Sequence, residues 1–384
     1  MSKRNIYIMY LIALLQGMVF YGSIATLYRQ AEGVSILEIT LIESISLVLC
    51  LVFELPWGVI ADKIGYRKTM IVCCLLYFVS KIIFWQATDF FGFLAERCLL
   101  SIVISGLSGV DTSILYLSCD KEESQHVFGI YDGLGTIGLL IAAFVYSAFV
   151  GEAYKMAGFL TMISYGIAAL LAFTLKEVKA EQEERASVKE FIRLLKETLT
   201  NKYLLMFIIG IAVFNETHQT ITVFLNQLQY VRAGMSTAMI GYVYIGVSII
   251  GLCGMYSAKI TKKTGGLTMM RGCYVAAIAA CIGLAVTSRA WISVAGIVTL
   301  RIVFSLVQPL QNNMQNRQIT SANRATALSI NAVIMDNIGV GTNVVFGSLA
   351  KYNLVTAFLF GAVLCIVGLG LFEIWNKGTE SRFV

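Results

Sequence analysis

Charge is scarce in this sequence: only 14% of its 384 residues are Asp, Glu, Lys or Arg, while 58% are hydrophobic. A soluble domain needs roughly 25% charged residues to cover its surface. Water therefore cannot surround most of this chain, in keeping with a mean hydropathy of +0.77. Proline is nearly absent; Pro56 and Pro309 are too few for a loop-rich globular protein. The two histidines, His126 and His218, cannot build a metal centre alone. Nine cysteines lie in apolar stretches such as Val72-Cys73-Cys74-Leu75, with no CxxC pair and no zinc spacing, and read as small apolar filler. No GxxxxGKS/T, HExxH or GxSxG occurs, which argues against ATP-driven pumping and hydrolysis and leaves no enzyme reading. No cofactor, metal or nucleic-acid partner is implied.

What the chain has is long apolar runs and 33 glycines, small residues that let membrane helices approach closely. A helix crossing about 30 Å of hydrocarbon needs roughly 20 mostly apolar residues. Candidate spans fall near 5–28, 36–61, 69–87, 91–117, 123–149, 155–175, 203–229, 236–258, 267–287, 290–315, 325–349 and 354–375. Runs this long exclude the alternation of a barrel, so the expected fold is an all-α integral membrane protein of twelve transmembrane helices. The first run is as long as a span and lacks a small-residue cleavage site, so it is expected to stay in the protein.

Orientation is read from Lys and Arg, which favour the cytoplasmic side. With the amino terminus inside, 21 of the 29 fall on inner segments, which predicts both termini cytoplasmic in the cell inner (plasma) membrane. The one long polar stretch, 176–202, is expected to be a cytoplasmic linker between bundles at 1–175 and 203–384. Within it, 188–196 has apolar residues at helical spacing, consistent with an amphipathic surface helix or a solvated linker.

The halves also repeat. A shift of 196 places Gly58 on Gly254, Lys63 on Lys259 and Arg67 on Lys263; a shift of 204 places Arg97 on Arg301 and Asp132 on Asp336. On the first shift, the second copy of the loop lacks both the acid (Ala258) and the second glycine (Thr261). Internal repeats of this kind are common in transporters.

Between spans 2 and 3 the chain reads Gly58-Val59-Ile60-Ala61-Asp62-Lys63-Ile64-Gly65-Tyr66-Arg67-Lys68. This resembles the signature loop of the major facilitator superfamily, G-x-x-x-D-R/K-x-G-x-R/K-R/K, and stands where that family carries it. The resemblance implies two pseudo-symmetric six-helix bundles that rock in alternating access about a central substrate site. It also implies a gating role for Gly58, Asp62, Gly65, Arg67 and Lys68. In the family the motif's acid sits against the amino end of span 11, here Arg324-Ala325-Thr326. A motif arginine pairs with an acid ending span 4, which suggests Arg67 with Asp120.

Charges inside a membrane are costly and mark functional sites by default. In span 10, Arg301, Ser305, Gln308, Asn312 and Gln315 form one polar stripe. Span 4 echoes it with Arg97, Ser101, Ser108 and Asp111. Arg97 resembles the buried arginine of many proton-coupled drug antiporters, unless it pairs with its neighbour Glu96. Span 7 offers Glu216 and Gln219, with Glu216 near the midplane as a cavity acid or as a buried carboxylate satisfied by a neighbour. Asp132 and Asp336 are further candidates for proton coupling or for helix packing, since a carboxyl withdrawn from water holds its proton more readily. Glu54 reads as a gating or structural residue, and Lys81 as one that snorkels outward. The function expected is proton-coupled efflux of small amphiphilic compounds by a monomer in the lipid bilayer. The alternative is proton-coupled uptake of a sugar, amino acid or other metabolite.

Overall fold

A computed structural model describes residues 3–107, 110–119, 124–178, 188–318 and 324–383, with side chains placed at all of these except 3, 54–56, 58–63, 124–126, 188–192, 194, 316–317, 324–327, 329 and 379–383. Among the described residues all regular structure is helical. Twelve helical segments among the described residues are long and apolar enough to cross a membrane. Spans 1 to 6 are Arg4–Ala31, Ile36–Phe53, Tyr66–Gln86, Phe90–Tyr116, Val127–Val150 and Tyr154–Ala172. Spans 7 to 12 are Lys202–Arg232, Thr237–Thr264, Gly266–Val286, Ala290–Gln315, Ile330–Tyr352 and Leu354–Gly378. Helix is the only open structure that satisfies every backbone N–H and C=O within lipid, so apolar composition and helical form go together.

The chain divides into two compact units. One comprises Met1–Gln182 with Ser236–Ile245, the other Glu183–Met235 with Gly246–Val384. Ser236–Ile245 packs with the first unit because Gly241 lacks a side chain: a Cβ there would fall 1.9 Å from Ser147 Oγ of span 5. The polar stretch between spans 6 and 7 forms a helix over Val188–Thr200, which belongs to the second unit.

Each unit repeats the other with an offset of 200 residues. Span 3 covers Tyr66–Gln86 and span 9 Gly266–Val286; span 4 starts at Phe90 and span 10 at Ala290; span 6 starts at Tyr154 and span 12 at Leu354. The offsets of 196 and 204 expected from sequence therefore each miss by four residues, in opposite directions. A four-residue slip is one helical turn, so it keeps each side chain on its helix face while changing its depth by about 6 Å. Two corrections follow. Asp132 and Asp336 do not occupy matching depths, nor do Arg97 and Arg301. And the glycine of the signature loop is retained in the second unit as Gly265, not lost as Thr261: Gly65 has φ +91° and Gly265 φ +83°, and each immediately precedes its span. Such a backbone is open essentially to glycine alone. The acid is still missing, since Lys262 stands where Asp62 would map.

Candidate functional site

In the first unit Lys81 pairs with Glu96 and Arg97 with Glu43, whereas the buried Arg29 forms no ion pair among the described residues. Lys81 and Glu96 meet at 2.9 Å with side chains only 5% and 1% exposed. Lys81 therefore does not snorkel outward. Its ammonium also lies 5.3 Å from the ring centre of Tyr77 and 5.5 Å from that of Tyr165. Arg97 is not held by Glu96 either: its Nη2 lies 2.6 Å from both carboxylate oxygens of Glu43 in span 2. Adjacent residues on a helix point about 100° apart, so Glu96 faces span 3 and Arg97 faces span 2. The polar face of span 4 continues through Ser101, which shares a 2.7 Å hydrogen bond with Ser46. Asp111, half-buried, accepts from the Thr112 amide at 2.7 Å and from the Tyr131 hydroxyl at 3.4 Å. Asp132 is exposed on span 5. Ser108 lies outside the described residues.

Around the signature loop, Gly58, Asp62 and Glu54 have no described side chains, and Asp120 lies outside the described residues. Arg67 is described, and its role there is to close the end of span 6. Its Nε donates to Leu175 O at 2.5 Å and its Nη2 to Phe173 O at 3.0 Å, while its amide donates to Glu177 Oε1 at 3.1 Å. Phe173 is the C-cap of the helix and Leu175 lies just past it, and the negative end of the helix dipole makes this a favourable place for a guanidinium. Lys68 beside it is exposed. The second unit ties the same pair of helices in its own way: Arg271 of span 9 donates to both oxygens of Glu373 in span 12, at 2.5 and 2.7 Å.

The second unit holds a different kind of polar cluster. His218 of span 7 is buried and stacks on Phe304 of span 10, with ring centres 3.8 Å apart and planes 3° from parallel. Its Nε2 lies 3.3 Å from the Thr222 hydroxyl; its Nδ1 is buried without a hydrogen-bond partner. Spans 7 and 10 run antiparallel through this stack, so Asn215, one turn back on span 7, comes level with Gln308, one turn on along span 10. Both amide oxygens, Asn215 Oδ1 and Gln308 Oε1, are buried without a partner. So is Nε of Arg301, whose guanidinium packs where a Cβ on Gly251 would stand, 2.5 Å from that atom. Gln311, 1% exposed, has neither amide atom paired. Glu216 is half-buried, and its carboxylate rests against span 11 at Gly339, where a Cβ would fall 2.8–2.9 Å from the carboxylate atoms.

The stripe expected on span 10 differs at one position. Gln311 is buried while Asn312 is exposed. Gln315, at 8% exposure, accepts from Asn331 Nδ2 at 3.4 Å. Gln219 is exposed, and Asp336 and Ser305 are half-buried. The residues that sequence reasoning missed are Glu43, Arg29, His218 and Gln311. Glu43 is 54 positions from Arg97, and only tertiary packing links them. Gln311 is adjacent to the stripe that periodicity picked out, and was within reach of it.

Among the described residues the chain thus forms twelve candidate membrane spans in two repeated units, with polar and charged side chains buried in both. The Major Facilitator Superfamily model matches residues 6–342, and the chain belongs to that family. It is accordingly a multi-pass membrane protein. An uncharacterised MFS-type transporter of Methanocaldococcus jannaschii is 27% identical over 146 residues, 37% of this chain and 38% of that relative's length. The aligned stretch thus spans well under half of the curated relative it matches. Among solved structures, a mutant form of the nucleoside transporter NupG aligns with a TM-score of 0.84 at 17% identity, covering 97% of this chain and 99% of that one. A bacterial homologue of the human lysosomal transporter Spinster, inward-facing and occupied, aligns at 0.76 with 15% identity, covering 97% and 96%. At these identities the two structures support the fold.

Proposed function

We propose that this protein is a proton-coupled transporter of a small polar solute, with Glu216 as the acid that gains and loses the proton. The observation that carries this reading is the line of buried, unpartnered polar atoms on spans 7 and 10: Asn215 Oδ1, His218 Nδ1, Arg301 Nε and Gln308 Oε1. Burying a polar group without a partner is costly, so a run of them points to a ligand that supplies the missing partners. It combines acceptors with a donor, which suits a solute rich in hydroxyls or amides. NupG, whose fold this chain shares, is a nucleoside transporter, and a nucleoside is a solute of that kind. Glu216 lies one position from Asn215 and two from His218, so a proton there changes the charge beside the solute. A proton or solute shifts an alternating-access equilibrium only through different affinity for the two states.

Efflux of small amphiphilic compounds is the second reading, favoured by the flat His218–Phe304 face at the centre of the line. Its other support weakens, because Arg97 is occupied by Glu43 rather than free in span 4. Around either solute we assign the protein to the inner (plasma) membrane as a monomer, with both termini cytoplasmic. The halves 1–175 and 203–384 act as the moving bodies, and Gly58, Asp62, Gly65, Arg67 and Lys68, with Asp120, act as the gate.

The test is solute-induced proton exchange in purified protein, for wild type and for Glu216→Gln, Asp132→Asn and Asp336→Asn. Proton uptake on adding nucleosides or sugars, lost only in Glu216→Gln, supports the leading reading. Proton release on adding lipophilic cations supports the second. A response lost only in Asp132→Asn or Asp336→Asn removes Glu216 from the coupling role.

A further inference from the structure

Arg29 is a charge that the first unit leaves unanswered. It lies near the end of span 1, 7% exposed, with its guanidinium carbon 5.6 Å from the ring centre of Phe84 and 5.9 Å from that of Phe93. Its Nε is buried with no hydrogen-bond partner, and among the described residues the side chain forms no ion pair. The carboxylates on the surrounding elements already engage other groups, with only Oε2 of Glu96 left buried without a hydrogen-bond partner. Glu96 holds Lys81, Glu43 holds Arg97, and Glu32 meets Lys155 at 3.1 Å. Glu38 accepts from the Ser35 amide and hydroxyl, and Asp89 from the Gly92 amide. Three cations, Arg29 and Lys81 buried and Arg97 half-buried, thus share two carboxylates, Glu96 buried and Glu43 half-buried, and the surplus charge is Arg29.

Cation–π attraction offsets only part of the cost of withdrawing a guanidinium from water. The second unit shows how the same position is filled when no charge is needed. Gln229 stands 200 residues beyond Arg29, and its Nε2 donates to Thr287 O at 3.0 Å and to Ser293 Oγ at 2.8 Å. Ser293 is in turn 200 residues beyond Phe93, so the two sites correspond. In one unit a neutral amide donates to protein partners; in the other a cation sits in an aromatic slot with donors to spare.

We propose that Arg29 anchors a buried site for a monovalent anion, one that a carboxylate fits best. A guanidinium offers a planar fork of donors that matches a carboxylate in two parallel hydrogen bonds. One singly charged anion restores neutrality among Arg29, Lys81, Arg97, Glu43 and Glu96. That anion is either the acidic group of a solute or an inorganic halide. The proposal does not depend on the transport reading, since it concerns the other unit and is measured by stability.

Purified protein in dodecyl maltoside, an uncharged detergent, is unfolded by heat across titrations of sodium acetate and of sodium chloride. Wild type is compared with Arg29→Met, which keeps an apolar stem between Phe84 and Phe93 but has no charge. The expected result is a saturable rise in Tm for wild type, with a half-effect concentration at least about tenfold higher in R29M. A stronger response to acetate than to chloride assigns the site to an organic carboxylate, and the reverse assigns it to a halide. Equal responses in wild type and R29M overturn the proposal. Should R29M not fold, Arg29→Lys decides: weakened acetate stabilisation supports contact with the guanidinium fork, and an unchanged response to both anions overturns it.

Discussion

At the scale of single residues, the Lys81–Glu96 pair of the first unit and the Glu216 carboxylate of the second should respond differently to substitution. Lys81 and Glu96 are both almost inaccessible, so removing one leaves the other charged, buried and unpaired. Lys81→Met is expected to lower stability by about 3–5 kcal/mol, and Lys81→Met with Glu96→Leu to recover much of it. Unfolding in detergent across the double-mutant cycle measures both. In the second unit the informative position is Gly339. A methyl group there reaches within 2.9 Å of the Glu216 carboxylate, so Gly339→Ala must push the acid aside. Coupled transport is expected to fall on the order of tenfold to a hundredfold with little loss of folded protein, because small misplacements of a working group are costly. Proton-driven uptake in liposomes, normalised to folded protein, reads this directly. Undiminished transport would remove Glu216 from the site.

At the scale of elements, the two loops that open spans 3 and 9 carry the clearest mark of the repeat. Gly65 and Gly265 share a backbone conformation that side chains resist. Gly265→Ala is expected to cost about 1–3 kcal/mol of stability, even though nothing crowds a Cβ there closer than 4.0 Å. A denaturant midpoint unchanged from wild type would contradict that strain. Arg67 links the first of these loops to the end of span 6 through two carbonyls. Arg67→Ala frees those carbonyls, whereas Arg67→Lys supplies a charge without the fork. Transport rates should fall in the order wild type, R67K, R67A. Equal rates for R67K and R67A would show that the charge alone contributes nothing at that end.

At the scale of the whole molecule, the predicted topology is open to a direct check. A fluorescent protein that matures only in the cytoplasm should glow when fused after Val384 or inserted at 180–187, and stay dark when inserted at 151–153. A bright signal at 151–153 would reverse the orientation read from Lys and Arg. The twelve spans were legible in advance because a membrane imposes one local requirement, a run of apolar residues long enough to cross it. The repeat was legible as a fact but not in register. Matching rare charges across the halves rewarded a one-turn slip, which leaves helix faces aligned and depths wrong.

Sequence by itself determined the class of this protein: apolar length set the number of spans, charge asymmetry set the expected orientation, and the loop at 58–68 set the family. Tertiary structure alone decided which polar residues meet. Arg97 with Glu43, Lys81 with Glu96, His218 on Phe304 and Glu216 against Gly339 are partners 15 to 123 positions apart in the chain. Local pattern carries helix and face, because those depend on neighbours three and four residues away. Which charge is neutralised depends on the helix packed beside it. That is why Lys81, which reads as a snorkelling lysine, is a closed ion pair, while Arg29, which local pattern does not single out, is buried without an ion-pair partner among the described residues.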